Sequence, residues 1–206
     1  MAKSKVQSLH YTLLAVVISV LAWSGIAPKD RTTWILETAP VFIGFALVAW
    51  TFKKHRLTNL LYILIAVHCV VLSIGGKYTY AEVPLGFWIQ ELFDFKRNHY
   101  DRLGHFMQGF APAILAREIL IRNKAVNGKG WLFLFVTSIC LAFSAVYEFI
   151  EWFAALVSEE GSAAFLGTQG DVWDTQWDMF LALVGALLAQ IISSKYHDKQ
   201  LKRVSK

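Results

Sequence analysis

Apolar residues in this chain gather into runs of about twenty, divided by short polar segments. A helix rising ~1.5 Å per residue needs that length to cross a hydrocarbon core of roughly 30 Å. Six such runs fall at residues 9–27, 34–52, 57–75, 103–121, 131–157 and 173–194. The pattern predicts an all-α fold, a polytopic membrane helix bundle of about six transmembrane helices, with residues 1–206 forming a single integral membrane domain. The first run is longer than the apolar core of a signal peptide, so it is expected to stay as an anchor, although Ala27 near its end would suit cleavage. The fourth run carries His105, Gln108, Pro112, Arg117 and Glu118 in a stretch barely long enough to cross. A re-entrant segment is its alternative.

The segments between the runs set the orientation. Lys3 and Lys5, then Lys53, Lys54 and Arg56, then Arg117, Arg122, Lys124 and Lys129, then Lys195, Lys199, Lys202, Arg203 and Lys206 alternate to one side. The other side holds Lys29, Arg31, Lys77, Lys96, Arg97 and Arg102. Fourteen against six of the twenty basic residues places the richer side, with both termini, in the cytoplasm. The polar, aromatic loop 76–102 then lies outside. A C-terminus on the outer side, as a re-entrant fourth run would require, conflicts with that bias.

Composition agrees with a membrane solvent: 56% of residues are hydrophobic, above the roughly 45–50% apolar content of soluble domains. The net charge of +5 does not point to nucleic acid, because the basic residues are dispersed between apolar runs and no aromatic platform accompanies them. Cys69 and Cys140 both fall inside apolar runs, apart and in no metal-binding spacing, and read as small packed hydrophobes.

Polar residues unusual for a membrane collect at the outer ends of the last three runs. Asp101, His105 and Gln108 recur at helical spacing, which makes one face of the fourth span polar. Ser144, Tyr147, Glu148 and Glu151 share a face of the fifth, with Glu148 about 13 Å from its outer end. Asp171, Asp174 and Asp178 follow spacings of three and four from Gly167 onward, beside Trp173 and Trp177, which suit an interfacial belt. A charged group inside a span costs about 2.5–3.5 kcal/mol on insertion scales, so these carboxylates need cations, protons or arginines.

That chemistry suggests a divalent metal, Mg, Mn or Zn, held by Glu148, Glu151, Asp174 and His105. Asp178 or Asp171 would act as the base, and Lys77, Arg102, Asp101 and His99 would bind substrate. Such a metal could activate water against a phosphoryl or acyl group of a lipid or lipid-linked substrate. The ordinary alternative is a structural network in which Arg97, Arg102 or Lys77 neutralises the acids. His68 reads as a packed core histidine, and His10, His55 and His197 as solvated. Gly75 and Gly76 read as a helix stop or, with Lys77, as an anion-binding turn. Arg117 to Lys129 and the tail after Lys195 read as topological anchors.

Taken together, the segments Gly75 to Gly86, Asn98 to Gly109, Tyr147 to Trp152 and Gly170 to Met179 resemble those of the YjdF-type bacterial inner-membrane proteins. The resemblance runs over nearly the whole chain. It implies inner-membrane location and multi-pass topology, and carries no activity with it. Three functions therefore stand open: a membrane-embedded metal-dependent enzyme, a proton- or cation-coupled transporter, and a non-catalytic interaction or assembly protein. The transporter lacks a polar path through the cytoplasmic halves of the spans and an inverted repeat.

Overall fold

The computed structural model describes residues 2–157 and 168–204. Gly167 of the third polar motif and Lys206 of the basic tail lie outside the described residues. Among those described there are seven helices and no strand: α1 (Ala2–Gly25), α2 (Arg31–Thr51), α3 (Asn59–Tyr78), α4 (Pro84–Phe93), α5 (Tyr100–Arg122), α6 (Lys129–Val157) and α7 (Asp174–Val204). Local chemistry starts them where the sequence allows. Asp30 caps α2 by accepting from the Thr33 N–H at 2.6 Å, Thr58 caps α3, and Pro84 opens α4, where a missing N–H is harmless.

Five helices, α1, α2, α3, α6 and α7, are long and apolar enough to cross a membrane. The sixth expected span, α5, is too polar by composition, yet it is one unbroken helix of 23 residues, about 34 Å long. Its first turn lies with Arg97 and the start of α7, and its last turn reaches Thr58 at the start of α3. The protein is built inside out: Phe143, Ile191 and Trp50 are 63%, 68% and 78% exposed, while Glu37, Asp178, Glu118 and His197 are buried. Apolar side chains facing outward and polar ones inward is the arrangement a lipid solvent selects.

α5 packs against α7, α6 and α3. Its contact with α7 is a meeting of backbones. A Cβ on Gly109 would lie 1.8 Å from the Ala182 carbonyl oxygen, and one on Gly185 would lie 2.2 Å from that of Phe106. Small residues are what allow two membrane helices to approach so closely.

The helix ends sort into two poles. At one, His10 near the start of α1 meets Asn59 at 3.1 Å, and the end of α7 meets the start of α3 through Gln200 and the Leu60 N–H at 3.0 Å. The terminal ends of α1 and α7 therefore share a pole with the basic segments, the one the positive-inside rule turns to the cytoplasm. The basic tail is not loose. α7 continues ten residues beyond Ser194 because Glu118 binds Thr58, Arg122 and His197, while Arg117 reaches His197 and Asp198. His197, expected in solvent, is fully buried, and Arg117 and Glu118 are structural partners rather than surface anchors. Loop 76–102 likewise contains α4, whose exposed Leu85, Trp88, Leu92 and Phe93 suit the membrane interface.

Candidate functional site

Four spans and one turn converge at the other pole. α5 carries Asp101, His105 and Gln108 on one face, α6 carries Ser144, Tyr147, Glu148 and Glu151, and α7 carries Asp174 and Asp178. α2 adds Glu37, which lies near its outer end. It is 5% exposed and accepts from the Tyr147 hydroxyl at 2.8 Å. Tyr80 arrives from the turn after α3, where Thr79 and Tyr80 hold left-handed φ of 58° and 53°. Its ring slots between Gly75 and Gly104, where a Cβ would lie 2.3 and 2.8 Å from ring atoms. Gly75 and Gly76 are thus neither a stop nor an anion turn. Both lie inside α3, and Gly75 makes room for Tyr80.

The acids divide into two sets. Asp174 and Asp171 are neutralised by arginine: Arg97 reaches Asp174 at 2.5 Å and Asp171 at 3.5 Å, and Arg102 reaches Asp171 at 2.7 Å. For these two the ordinary salt-bridge reading applies. Asp174 gives one oxygen to the guanidinium of Arg97 while its Oδ2 is buried without a hydrogen-bond partner, and it is not among the acids whose ligand atoms converge on His105. Asp171 is a poor base, since the Trp173 N–H and Arg102 hold its carboxyl below the ordinary carboxylate value. The pairs fasten the start of α7 to the entrance of α5, helped by Gln169, whose amide bonds both the N–H and the carbonyl of Asn98.

The second set surrounds His105. Its Nε2 lies 3.5 Å from Asp101 and 3.9 Å from Asp178, and its Nδ1 lies 3.7 Å from Glu148. One ligand atom each of Asp101, His105 and Asp178 falls within 4.8 Å of the others, and so do those of His105, Glu148 and Glu151. Asp101, expected to touch substrate, is therefore part of this centre. Gln108 Oε1 sits 3.0 Å from His105 Nδ1. A carbonyl oxygen only accepts, so this contact puts a ring proton on Nδ1 and leaves Nε2 facing Asp101 and Asp178. Glu148 Oε1 and Asp178 Oδ1 are buried without a hydrogen-bond partner. An acceptor-rich centre with orphaned oxygens calls for a cation.

The remaining expected residues lie apart. Lys77 donates to the Ile26 carbonyl at 2.7 Å and lies over the Trp23 ring, so it closes the carbonyl end of α1 and does not reach the cluster. His99 accepts from Arg102 at 3.2 Å through Nδ1. Burial and the Arg102 and Arg97 charges hold its imidazole below the ordinary value of 6.5, which keeps it a neutral acceptor for that contact. Arg102 itself stands over Trp177 at the rim, its guanidinium shared between His99 and Asp171.

Below the cluster a cavity of about 610 Å³ extends between α2 and α6, with α3 and α5 behind it. Its polar groups, Glu37, Tyr80, Asp101, His105, Gln108, Tyr147 and Glu151, belong to the site, and beyond them its lining is apolar apart from His68. His68 was expected in the packed core; it lines this cavity, and its Nε2 has no partner. A hydrophobic core of Leu61, Ala113, Ile114, Val136, Cys140, Ala186 and Ala189 separates the two polar poles.

An inside-out bundle of apolar helices around a buried acidic and imidazole centre defines a multi-pass helical membrane protein. The chain belongs to the family described as "Predicted membrane protein (DUF2238)", whose model matches residues 9–199. It is similar to "Inner membrane protein YjdF" of Escherichia coli (strain K12), 50% identical over 184 residues that cover 89% of this chain and 88% of that protein. Location in the inner membrane follows, as the motifs implied. No solved structure matches this chain.

Proposed function

We propose that the protein is a membrane-embedded, divalent-metal-dependent enzyme acting on a lipid or lipid-linked substrate at the outer leaflet. The observation that carries this reading is His105 Nε2 facing two buried carboxylates, one with an orphaned oxygen. The ligand set it favours is Asp101, His105 and Asp178, with Gln108 orienting the ring as metal-bound histidines require of their second nitrogen. One imidazole with two carboxylates suits zinc or manganese better than magnesium. Such a metal would supply acidified water and polarise a phosphoryl or acyl centre, and Glu148 and Glu151, on the other side of His105, would hold the water's proton and return it to the leaving alkoxide.

A transporter would use the same acids as proton sites. The apolar core between the poles weighs against it, because beyond the cluster the cavity lining offers His68 alone as a polar step.

Elemental analysis of purified protein tests the reading directly. Wild type should hold stoichiometric zinc or manganese, Asp178→Asn and His105→Ala should lose it, and Asp174→Asn should keep it. A metal-free wild type after reconstitution, or metal retained by Asp178→Asn, would overturn it. Release of head groups from phospholipid vesicles by metal-loaded protein then tests the activity itself.

A further inference from the structure

We infer that the cavity between α2 and α6 is a lateral slot that admits one hydrocarbon chain of a membrane phospholipid while its head group rests at the His105 cluster. The inference deepens the proposed function, and rests on it for the placement of the head group. The slot's geometry stands independently. Its volume of about 610 Å³ falls within the range of ligand sites, and apolar walls with a few convergent polar groups are the usual make-up of such sites.

The walls stand apart because of how the bundle is wired. α2 packs on α3, whereas α6 packs on α5 and α7. The Tyr147–Glu37 hydrogen bond links them at the cluster. Below that bond Ile43 and Leu47 form one wall, and Phe143 and Val146 the other. All four are also strongly exposed on the outer surface of the bundle, Ile43 at 60% and Val146 at 53%. The surface outside these helices is bilayer, so the chemistry at the slot's side is acyl chain. From His105 to Ile119, both of which line the slot, α5 rises about 21 Å, deep enough for an extended chain. At Gly44 a Cβ would meet nothing within 4 Å. That residue leaves the slot wide where a larger side chain would fit without strain.

The test uses full-length protein in nanodiscs of phosphatidylethanolamine and phosphatidylglycerol with a trace of phosphatidylglycerol bearing a mid-chain diazirine. After photolysis, adducts are mapped by mass spectrometry. Expected are adducts on the slot floor, Leu72 and Leu115, as well as on the outward-facing Ile191. Floor adducts should vanish, with Ile191 labelling unchanged, in Gly44→Trp and in Val146→Trp. Each variant is checked for monodispersity, and the two walls give independent blockers should one fail to fold. Ile191 labelled without floor adducts in wild type, or floor adducts unaffected by both blockers, would overturn the inference. Labelling requires neither metal nor turnover. A protein that proves metal-free but labels at Leu72 and Leu115 would refute the enzymatic reading and leave the slot standing.

Discussion

Glu118 and Glu148 are both buried glutamates in a membrane bundle, and neutralising them should have opposite consequences. The Glu118 carboxylate accepts from the Thr58 hydroxyl at 2.8 Å, the Thr58 N–H at 3.2 Å, Arg122 at 3.0 Å and His197 Nε2 at 3.0 Å. The arrangement is complete, because Arg117 occupies His197 Nδ1 at 2.9 Å. A guanidinium only donates, so Nδ1 accepts and the proton on Nε2 is directed at Glu118. Glu118→Ala would strand these donors. Breaking a buried charged pair costs about 3–5 kcal/mol, and at about 2–4 °C per kcal/mol for a chain of this size the midpoint should fall on the order of 10 °C.

Glu148 has fewer partners, the Thr175 side chain among them. Its Oε1 is orphaned, its neighbours include Glu151 and Asp178, and its nearest cationic candidate is an imidazole 3.7 Å away. Glu148→Gln removes one charge from a set of like charges while keeping the shape, so stability should stay level or rise by about 1 kcal/mol in metal-free protein. Thermal unfolding of both variants beside wild type, in one detergent and with chelator present, measures the contrast. A fall for Glu148→Gln as large as that for Glu118→Ala would refute the reasoning. The outer cluster would then be a structural network and the protein would fit the assembly reading.

Gly109→Leu should collapse the α5–α7 contact, since even a Cβ lies 1.8 Å from the Ala182 carbonyl oxygen; a loss of 3 kcal/mol or more, about the top of the overpacking range, would show as aggregation in size-exclusion chromatography. Lys77→Met should leave metal content unchanged while lowering stability by about 1 kcal/mol, read as a lower midpoint, because this lysine serves the α1 carbonyls. Acid should loosen the α5–α7 entrance. Asp171 is held below its ordinary value of 3.8, so its contribution is complete above that pH and is lost as pH falls through the lower native value. Midpoints measured below pH 4 should show that loss in wild type and not in Asp171→Asn.

Helices and poles were legible in the sequence because both follow from one-dimensional signals, hydropathy over twenty residues and the count of Lys and Arg on each side. Which acids meet which cations was not. Spacing puts Asp174 and Asp178 on one face of α7 equally well, but one turn of helix decides that Asp174 meets Arg97 and Asp178 meets His105. Glu37, near the outer end of its run, could join the cluster or face water, because nothing within α2 reports which way its face turns in the bundle. The extension of α7 did leave a trace: His197 and Leu201, four apart and both buried, mark an inward face in what reads as a charged tail. Gly75 misled because glycine at a helix end usually signals a stop, whereas here a neighbouring ring requires the space.

The two poles use the same side-chain types to opposite ends, and the difference lies in the cation. At the basic pole arginines complete every acceptor, and an arginine is a permanent charge that cannot leave. At the other pole the two arginines stop at the rim with Asp171 and Asp174, and the innermost acids face one imidazole. A bundle needing only to bury carboxylates could have set a guanidinium in place of His105. An imidazole, unlike a guanidinium, can give up the proton on the nitrogen that faces Asp101 and Asp178 and so leave a position that an exchangeable cation can fill. Its cost in folding energy is why the cluster is better explained by use than by stability.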